Sequence, residues 1–242
     1  LKHTQREFLQ QKLENCLFKL QSASNVLQTA YFLFFLAKHS PNSILLSITH
    51  FINATTKVIM HKREDVRFVG YETLKIYLQI LNNNNSGNSQ HSTFPLYIYA
   101  QQNLQKSYHE QHGAFLIFSA LLEFSPSSID DQASELMRFF YNLLPKSPAS
   151  LRSVLLKNFV LLSQLDMDTF KNNYLDIVAS ALININNHPT ANRITSSSLY
   201  NLIHFIPECR ANYTAKILTI IQNSLKLKFL IPRNHYDIFI NG

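Results

Sequence analysis

The chain has 242 residues and a net charge of +7, with 46% hydrophobic and only 15% charged residues. Its four glycines, Gly70, Gly87, Gly113 and Gly242, are too few for the turns of a many-stranded β protein. They are also too dispersed for a phosphate-binding loop, in which several glycines let backbone N–H groups approach the ligand. The composition therefore favours helices and disfavours nucleotide binding.

The basic charge raises the question of nucleic-acid binding. Its densest places are Lys62 beside Arg63, and Lys226 with Lys228, while the other basic residues are mostly scattered singly. A groove that follows phosphates usually needs several basic residues on one face. We therefore expect a mildly basic surface that meets an acidic protein partner, and keep a basic nucleic-acid-binding solenoid as an alternative.

Cysteine content and apolar runs bear on the compartment. Cys16 and Cys209 lie far apart, as expected for reduced, buried thiols of an intracellular protein. The most apolar run, residues 31–37, is too short to span a bilayer and predicts a helix that is buried on both sides. We predict a cytoplasmic protein without a transmembrane segment.

Helix signals recur along the whole chain. Helices are predicted near residues 4–19, 24–38, 42–60, 64–81, 94–109, 112–124, 129–144, 148–165, 168–185, 190–205 and 209–226. Ser22, Ser128 and Asp166 precede helices and are predicted N-caps. Ser147 is predicted to cap a further helix in which Pro148 takes the first position, where its missing N–H costs nothing.

Two markers share one period. Pro41, Pro126 and Pro207 each follow the end of a predicted helix, at separations of 85 and 81 residues. Arginines near the start of other helices are separated by 85 and 41 residues, and they are Arg67, Arg152 and Arg193. Each arginine is followed seven residues later by a large side chain: Leu74, Phe159 and Tyr200. Both markers indicate a repeat of about 40 residues.

A repeat of this length is typical of HEAT and armadillo arrays, in which helix pairs stack because one pair cannot bury both its apolar faces. We predict an all-α, HEAT/armadillo-like α-solenoid of about five to six antiparallel helix pairs, forming a single right-handed array over residues 1–242. Residues 64–74 match a HEAT second helix best, and Gly70 is expected to let the paired helix approach closely.

One segment interrupts the period. Residues 82–91 are rich in asparagine and contain too little apolar surface to offset the entropy of ordering. We predict a flexible insertion between repeats.

Possible chemistry was sought first among the ten histidines. His109 and His112 flank Glu110, but no third and fourth ligand at the spacing of a zinc site follows them. Carboxylates at a helix start, Asp130, Asp131 and Glu135, are explained by the helix dipole, and residues 196–198 are serines without the glycines of a nucleophile elbow. We predict no catalytic, cofactor-binding or metal-binding residue and no cofactor.

The order of several segments resembles the N-terminal HEAT region of the target of rapamycin (TOR) kinases, which are phosphatidylinositol-3-kinase-related Ser/Thr kinases. The resemblance lies in Leu36-Ala37-Lys38-His39-Ser40-Pro41 at a helix end, in Asp65-Val66-Arg67, and in His112-Gly113-Ala114 before a run of aliphatic residues. Three later segments follow in the family's order: residues 150–152, 170–175 and 213–218.

This resemblance implies a non-catalytic scaffold and protein-binding segment of a larger protein kinase. The segment would take part in dimer assembly and present a surface to an accessory subunit such as Raptor; no active-site residue of the family falls within it, and no small-molecule substrate is implied. Another HEAT scaffold, such as a nuclear transport receptor, is the alternative. Apolar residues near both ends, among them Phe8, Leu13 and those at 225–231, lead us to expect further repeats on both sides.

Overall fold

The computed structural model describes residues 2–19, 26–45, 47–84, 89–186 and 193–207, together with residues 209, 213, 215 and 218. Within these ranges every regular element is helical, which confirms the predicted all-α class. The α-helices are α1 (Lys2–Lys19), α2 (Val26–His39), α3 (Pro41–Leu45), α4 (Ile48–Ile59), α5 (Glu64–Asn84), α6 (Ser89–Asn103), α7 (Tyr108–Phe124), α8 (Ala133–Leu143), α9 (Ala149–Leu162), α10 (Met167–Asn173), α11 (Leu175–Asn186) and α12 (Arg193–Phe205). None of these helices combines the length and apolarity that crossing a bilayer requires.

The chain divides into two compact units, Leu1–Ile129 and Asp130–Gly242. In the first unit, α5 packs between α2 and α7, α4 packs against α5 and α1, and α6 packs against α7. Its core contains fully buried aromatic side chains, namely Phe51, Tyr77, Phe115 and Phe118. Burial of such rings is the main favourable term that holds a helix row together.

In the second unit, α9 packs against α8 and α12, and α11 packs against α12, α9 and α10. Phe140 on α8 meets Phe159 on α9 edge to face, with ring centroids 6.1 Å apart. Phe170 on α10 is also fully buried. Aromatic contacts therefore form the core of this unit as well.

Several predicted helices differ from the observed ones in where they begin or end. The helix predicted over 42–60 is divided into α3 and α4, and that over 168–185 is divided at Tyr174 into α10 and α11. The helix predicted over 94–109 ends at Asn103, and α7 begins at Tyr108 rather than at 112. There the Glu110 carboxylate accepts hydrogen bonds from both the backbone N–H (3.2 Å) and the hydroxyl (2.5 Å) of Ser107. This S-x-x-E pattern starts a helix.

The predicted N-caps had mixed outcomes. Asp166 is confirmed, since its Oδ1 accepts from the Thr169 N–H at 3.1 Å. Ser147 is wrong, because its hydroxyl donates back to the Leu143 carbonyl and α9 begins at Ala149. Ser128 likewise donates back, to the Ser125 carbonyl, within a 3-10 turn. Ser22 lies outside the described residues.

Helix α2 corrects the expectation that residues 31–37 are buried on both sides. One face is buried, and its members are Val26, Thr29, Ala30, Leu33 and Ala37. On the opposite side Tyr31, Phe32 and Phe35 are exposed. The sequence pattern is apolar all round, but the described residues supply a neighbour for one face only.

The stretch between α5 and α6 is shorter than the Asn-rich insertion that was predicted. Helix α5 extends to Asn84 and α6 begins at Ser89, so both helices enter the predicted insertion at 82–91. Asn82 Nδ2 donates to the Phe124 carbonyl. Residues 85–88 lie outside the described residues, and the flexibility of the segment stays a prediction.

Of the two cysteines, Cys209 is buried as expected.

Candidate functional site

Two glycines in the first unit allow helices to approach the end of α4 closely. A Cβ on Gly113 of α7 would lie 2.5 Å from the Ile59 carbonyl oxygen and 2.7 Å from Met60 Sδ. A Cβ on Gly70 of α5 would lie 2.8 Å from side-chain carbons of Val58 and Ile59. The expectation that Gly70 permits close approach is therefore met, and Gly113 does the same for α7.

Beside these glycines lies Arg67, which is only 2% exposed. Its Nε donates to His112 Nδ1 at 2.7 Å, and its Nη1 donates to the carbonyls of His61 and Lys62, each at 2.9 Å. These bonds join the turn between α4 and α5 to the first part of α7. A guanidinium with a fixed fork of donors is well suited to bridging several acceptors at once.

Aromatic rings enclose this pair. Tyr108 stacks on the His112 ring, with centroids 6.1 Å apart and planes at 8°, and the Arg67 guanidinium lies 5.9 Å from the Tyr108 centroid. Phe68 meets His112 edge to face at 6.0 Å. We call Arg67, His112, Tyr108 and Phe68 the arginine–histidine junction.

Burial, together with the smaller effect of the neighbouring Arg67 charge, lowers the pKa of His112 to about 4. The imidazole is therefore neutral at pH 7. Because Nδ1 accepts from Arg67, the proton is assigned to Nε2, which is buried and has no hydrogen-bond partner among the described residues. A protonated imidazole would lose its acceptor and place a second cation against the guanidinium.

The junction is built to hold helices and offers little to a substrate. His112 is fully buried, so a reactant cannot reach either ring nitrogen. The nearby Glu110 carboxylate is engaged by Ser107, and His61 Nδ1 accepts from the Arg63 N–H. General acid–base chemistry requires a group within hydrogen-bond reach of the substrate proton. The arrangement therefore acts as a structural connection between α5 and α7.

The second unit contains a partial counterpart. Arg152, like Arg67, stands at the fourth position of its helix, and its Nη2 donates to the Ser147 carbonyl five residues earlier at 3.0 Å. Arg152 Nε is buried and has no hydrogen-bond partner in the part of the chain that the structure describes. Seven residues after the two arginines, Leu74 and Phe159 are buried, whereas Tyr200, which follows Arg193 at the same spacing, is 67% exposed.

The remaining candidate residues are dispersed. Asp130 and Asp131 form an exposed 3-10 turn, and Glu135 lies in the first turn of α8. Ser197 and Ser198 donate to the Ile194 carbonyl of their own helix. Among the described residues, no three His, Cys, Asp or Glu side chains are grouped to hold a metal ion.

The basic residues considered for nucleic acid are also separate. Lys62 is exposed, and Arg63 forms a paired contact with Asp65 in which Nη2 lies 2.6 Å from Oδ2. Lys226 and Lys228 lie outside the described residues.

The bond between Arg67 and His112 is the feature that sequence reasoning missed. A usable signal was present: Arg67, Gly70, Leu74 and Leu78 follow one another at helical spacing, and the last three are buried. An arginine in register with a buried face predicts a buried guanidinium that needs several acceptors. Its partner, 45 residues away, could not be deduced from that pattern.

In comparisons with known proteins, no family model, no curated protein and no solved structure matches the chain.

Proposed function

We propose that the chain is a non-catalytic scaffold segment, a HEAT-like α-solenoid that binds other proteins. The observation that carries this proposal is the repeated reach of an arginine at the fourth helical position to a carbonyl five residues earlier, made by Arg67 in one unit and Arg152 in the other. Independent helical domains have no reason to share this device at a spacing of 85 residues. Repetition of one structural unit accounts for it.

The order of helices supports the same proposal. In the first unit α2, α5 and α7 follow one another in a row and begin at residues 26, 64 and 108. In the second unit α9 packs against α12, and these helices begin at residues 149 and 193. These intervals lie near the period of about 40 residues that HEAT arrays use. A solenoid presents extended surface, and its function is to bind.

We further propose that the parent polypeptide is a TOR-like Ser/Thr protein kinase of the cytoplasm. Two of the segments that carry the resemblance, Asp65-Val66-Arg67 and His112-Gly113-Ala114, come together in the arginine–histidine junction. Their combination supports treating them as one structural element of the repeat. The segment then contributes to dimer assembly and to the seat of a Raptor-like accessory subunit, while the activity belongs to the parent.

The test is recovery of the native protein from its own cells with antibodies raised against the chain. We expect a polypeptide much longer than 242 residues, with kinase activity and a stoichiometric accessory subunit. A long polypeptide with an accessory protein but without kinase activity supports the scaffold and excludes the TOR assignment. Recovery of a 28.0 kDa protein without any protein partner overturns both.

A further inference from the structure

We infer that the exposed side of α2 is a docking surface for an amphipathic α-helix of a second polypeptide, one that carries acidic residues at its polar margin. This inference rests on the scaffold function proposed above and specifies the surface and the kind of partner. The surface, called here the α2 aromatic face, consists of Tyr31, Phe32, Phe35 and His39.

The face is continuous and lies opposite the packed side of the helix. Tyr31, Phe32 and Phe35 are 46%, 42% and 55% exposed, and their spacing places them on one side of α2. The other exposed large hydrophobic side chains among the described residues occur singly along their helices, as at Phe94, Tyr141 and Tyr200. Single exposed apolar residues need no explanation, but a cluster of aromatic rings on one helix face does.

One of these rings, that of Phe35, is held in place before any partner arrives. Phe35 lies between two neighbours: Phe34 meets it edge to face at 5.8 Å, and the His39 ring stacks on it at 6.0 Å with the planes at 19°. Rigid aromatic anchors lose little entropy on binding and are the residues that dominate helix-binding surfaces.

The area of the face fits one helix and is too small for a stable dimer of the chain. A large aromatic side chain carries about 200 Å² of surface, so three half-exposed rings offer roughly 300 Å². A stable protein–protein interface buries about 800 Å² on each partner. A single amphipathic helix that lays its apolar side on the rings can use the smaller area at moderate affinity.

Charge decides the chemistry of the partner. Helix α2 contains no Asp or Glu, and Lys38 and His39 lie at its carboxyl end. The whole chain carries +7, so a second copy approaching this face meets like charge. A partner with Glu or Asp beside its apolar stripe gains from Lys38, and opposite charges across an interface fix both orientation and partner choice.

The experiment uses the full 242-residue chain and two synthetic, side-chain-stapled helical peptides of about four turns. Both present leucines at i, i+3, i+4 and i+7; one has glutamates at the margins of this stripe and the other has lysines. Fluorescence anisotropy at physiological salt measures affinity. We expect the acidic peptide to bind about tenfold more tightly than the basic one, which corresponds to roughly 1.4 kcal/mol.

Three variants locate the binding. Phe32→Gln and Phe35→Gln should each weaken the acidic peptide about tenfold, since loss of an aromatic anchor costs this much or more. Lys38→Glu should remove or reverse the preference between the peptides. The matched control is Tyr200→Gln, because Tyr200 is an exposed ring that also stacks on the histidine four residues later, His204; it should leave binding unchanged. All four positions are exposed, and circular dichroism verifies that each variant folds.

The inference is overturned if the two peptides bind equally, if the folded chain binds neither, or if Tyr200→Gln weakens binding as much as Phe35→Gln. A dimer that appears with concentration and is lost in Phe35→Gln also overturns it, because the occupant is then a second copy. These outcomes leave the scaffold proposal standing as long as the native protein is recovered with its partner. Absence of any protein partner in that recovery defeats the scaffold proposal itself.

Discussion

The turns that precede α5 and α9 contain the same arginine contact, but the arginine before α5 forms more hydrogen bonds than the one before α9. In both, an arginine at the fourth helical position donates to a carbonyl five residues earlier. Arg67 adds bonds to His112 and to a second carbonyl, whereas the buried Arg152 Nε finds no hydrogen-bond partner within the described ranges. The backbone contact is common to both turns, whereas the further bonds depend on which groups the neighbouring helix supplies.

The next helices differ at the positions that matter. The fifth and sixth residues of α7 are His112 and Gly113, which supply an acceptor and room for close approach. The same positions of α12 hold Ser197 and Ser198, whose hydroxyls donate within their own helix. The same arginine contact therefore occurs before both helices, and it is strengthened where the neighbouring helix supplies a histidine and a glycine.

The largest expected difference between the two turns is the cost of removing the arginine. Arg67→Ala leaves a buried imidazole and two carbonyls without their donor, and each buried acceptor that is left unsatisfied costs about 1–3 kcal/mol. Arg152→Ala removes one hydrogen bond of a half-buried side chain and should cost about 1 kcal/mol. Hydrogen exchange read by mass spectrometry measures both, as loss of protection in α5 and α7 or in α9. Equal losses in the two variants would mean that burial of Arg67 contributes nothing.

The second-largest expected difference is in how acid affects the stability of the two units. The pKa of His112 is lowered from 6.5 to about 4 in the folded chain, so the unfolded chain binds more protons in this interval. The stabilisation is therefore complete above pH 6.5 and is lost as the pH falls toward 4, by about 3 kcal/mol. We expect protection of α5 and α7 to fall over this range more steeply than that of α9.

The control for this titration is His112→Gln, whose side-chain oxygen can still accept from Arg67 but does not titrate. His61 contributes in the same direction, because burial and neighbouring basic residues lower its pKa as well. Comparison of the variant with the parent chain isolates His112. An unchanged pH dependence in His112→Gln contradicts the prediction.

The two glycines sharpen the comparison within the first unit. A methyl group on Gly113 meets a backbone carbonyl at 2.5 Å, which cannot move without shifting α4. On Gly70 the closest atoms are side-chain carbons at 2.8 Å, which can rotate, although the Ile59 nitrogen is near at 2.9 Å. Gly113→Ala should cost about 1–3 kcal/mol of unfolding free energy, and Gly70→Ala less. Urea unfolding compares them, and a larger cost at Gly70 would reverse the assignment.

Much of the architecture was predictable because it depends on local patterns. Apolar periodicity predicted the all-α class, and Pro41 and Pro126 each begin a new helical turn two residues after a helix ends, as their missing N–H allows. Asp166 was found as a cap from its type and position. The capping pair at Ser107 and Glu110 was equally visible in the sequence and was overlooked.

What could not be predicted depends on contacts between distant segments. The bond between Arg67 and His112 joins residues that are 45 positions apart, and only the packing of α5 against α7 brings them together. The prediction that Phe32 and Phe35 are buried was wrong for a related reason. A helix that is apolar on all sides can be covered on both sides, but its residue pattern does not indicate which molecule covers the second side.

The smallest expected effects come from the two carboxylates that organise helix starts, Glu110 in the first unit and Asp166 in the second. Asp166 accepts hydrogen bonds from the Thr169 N–H and from the Ser134 hydroxyl. These bonds lower the pKa of Asp166, and the bond from Ser134 has the largest effect. Glu110 accepts from Ser107, through its N–H and hydroxyl. Asp166→Ala should therefore destabilise α10 by about 1 kcal/mol, and Glu110→Ala should destabilise α7 by somewhat less.

Asparagine is as good an N-cap as aspartate, so Asp166→Asn should retain most of the protection of α10 in hydrogen exchange. If Asp166→Asn is as damaging as Asp166→Ala, the negative charge rather than the cap is what stabilises this start, and the favourable interaction lies with the helix dipole.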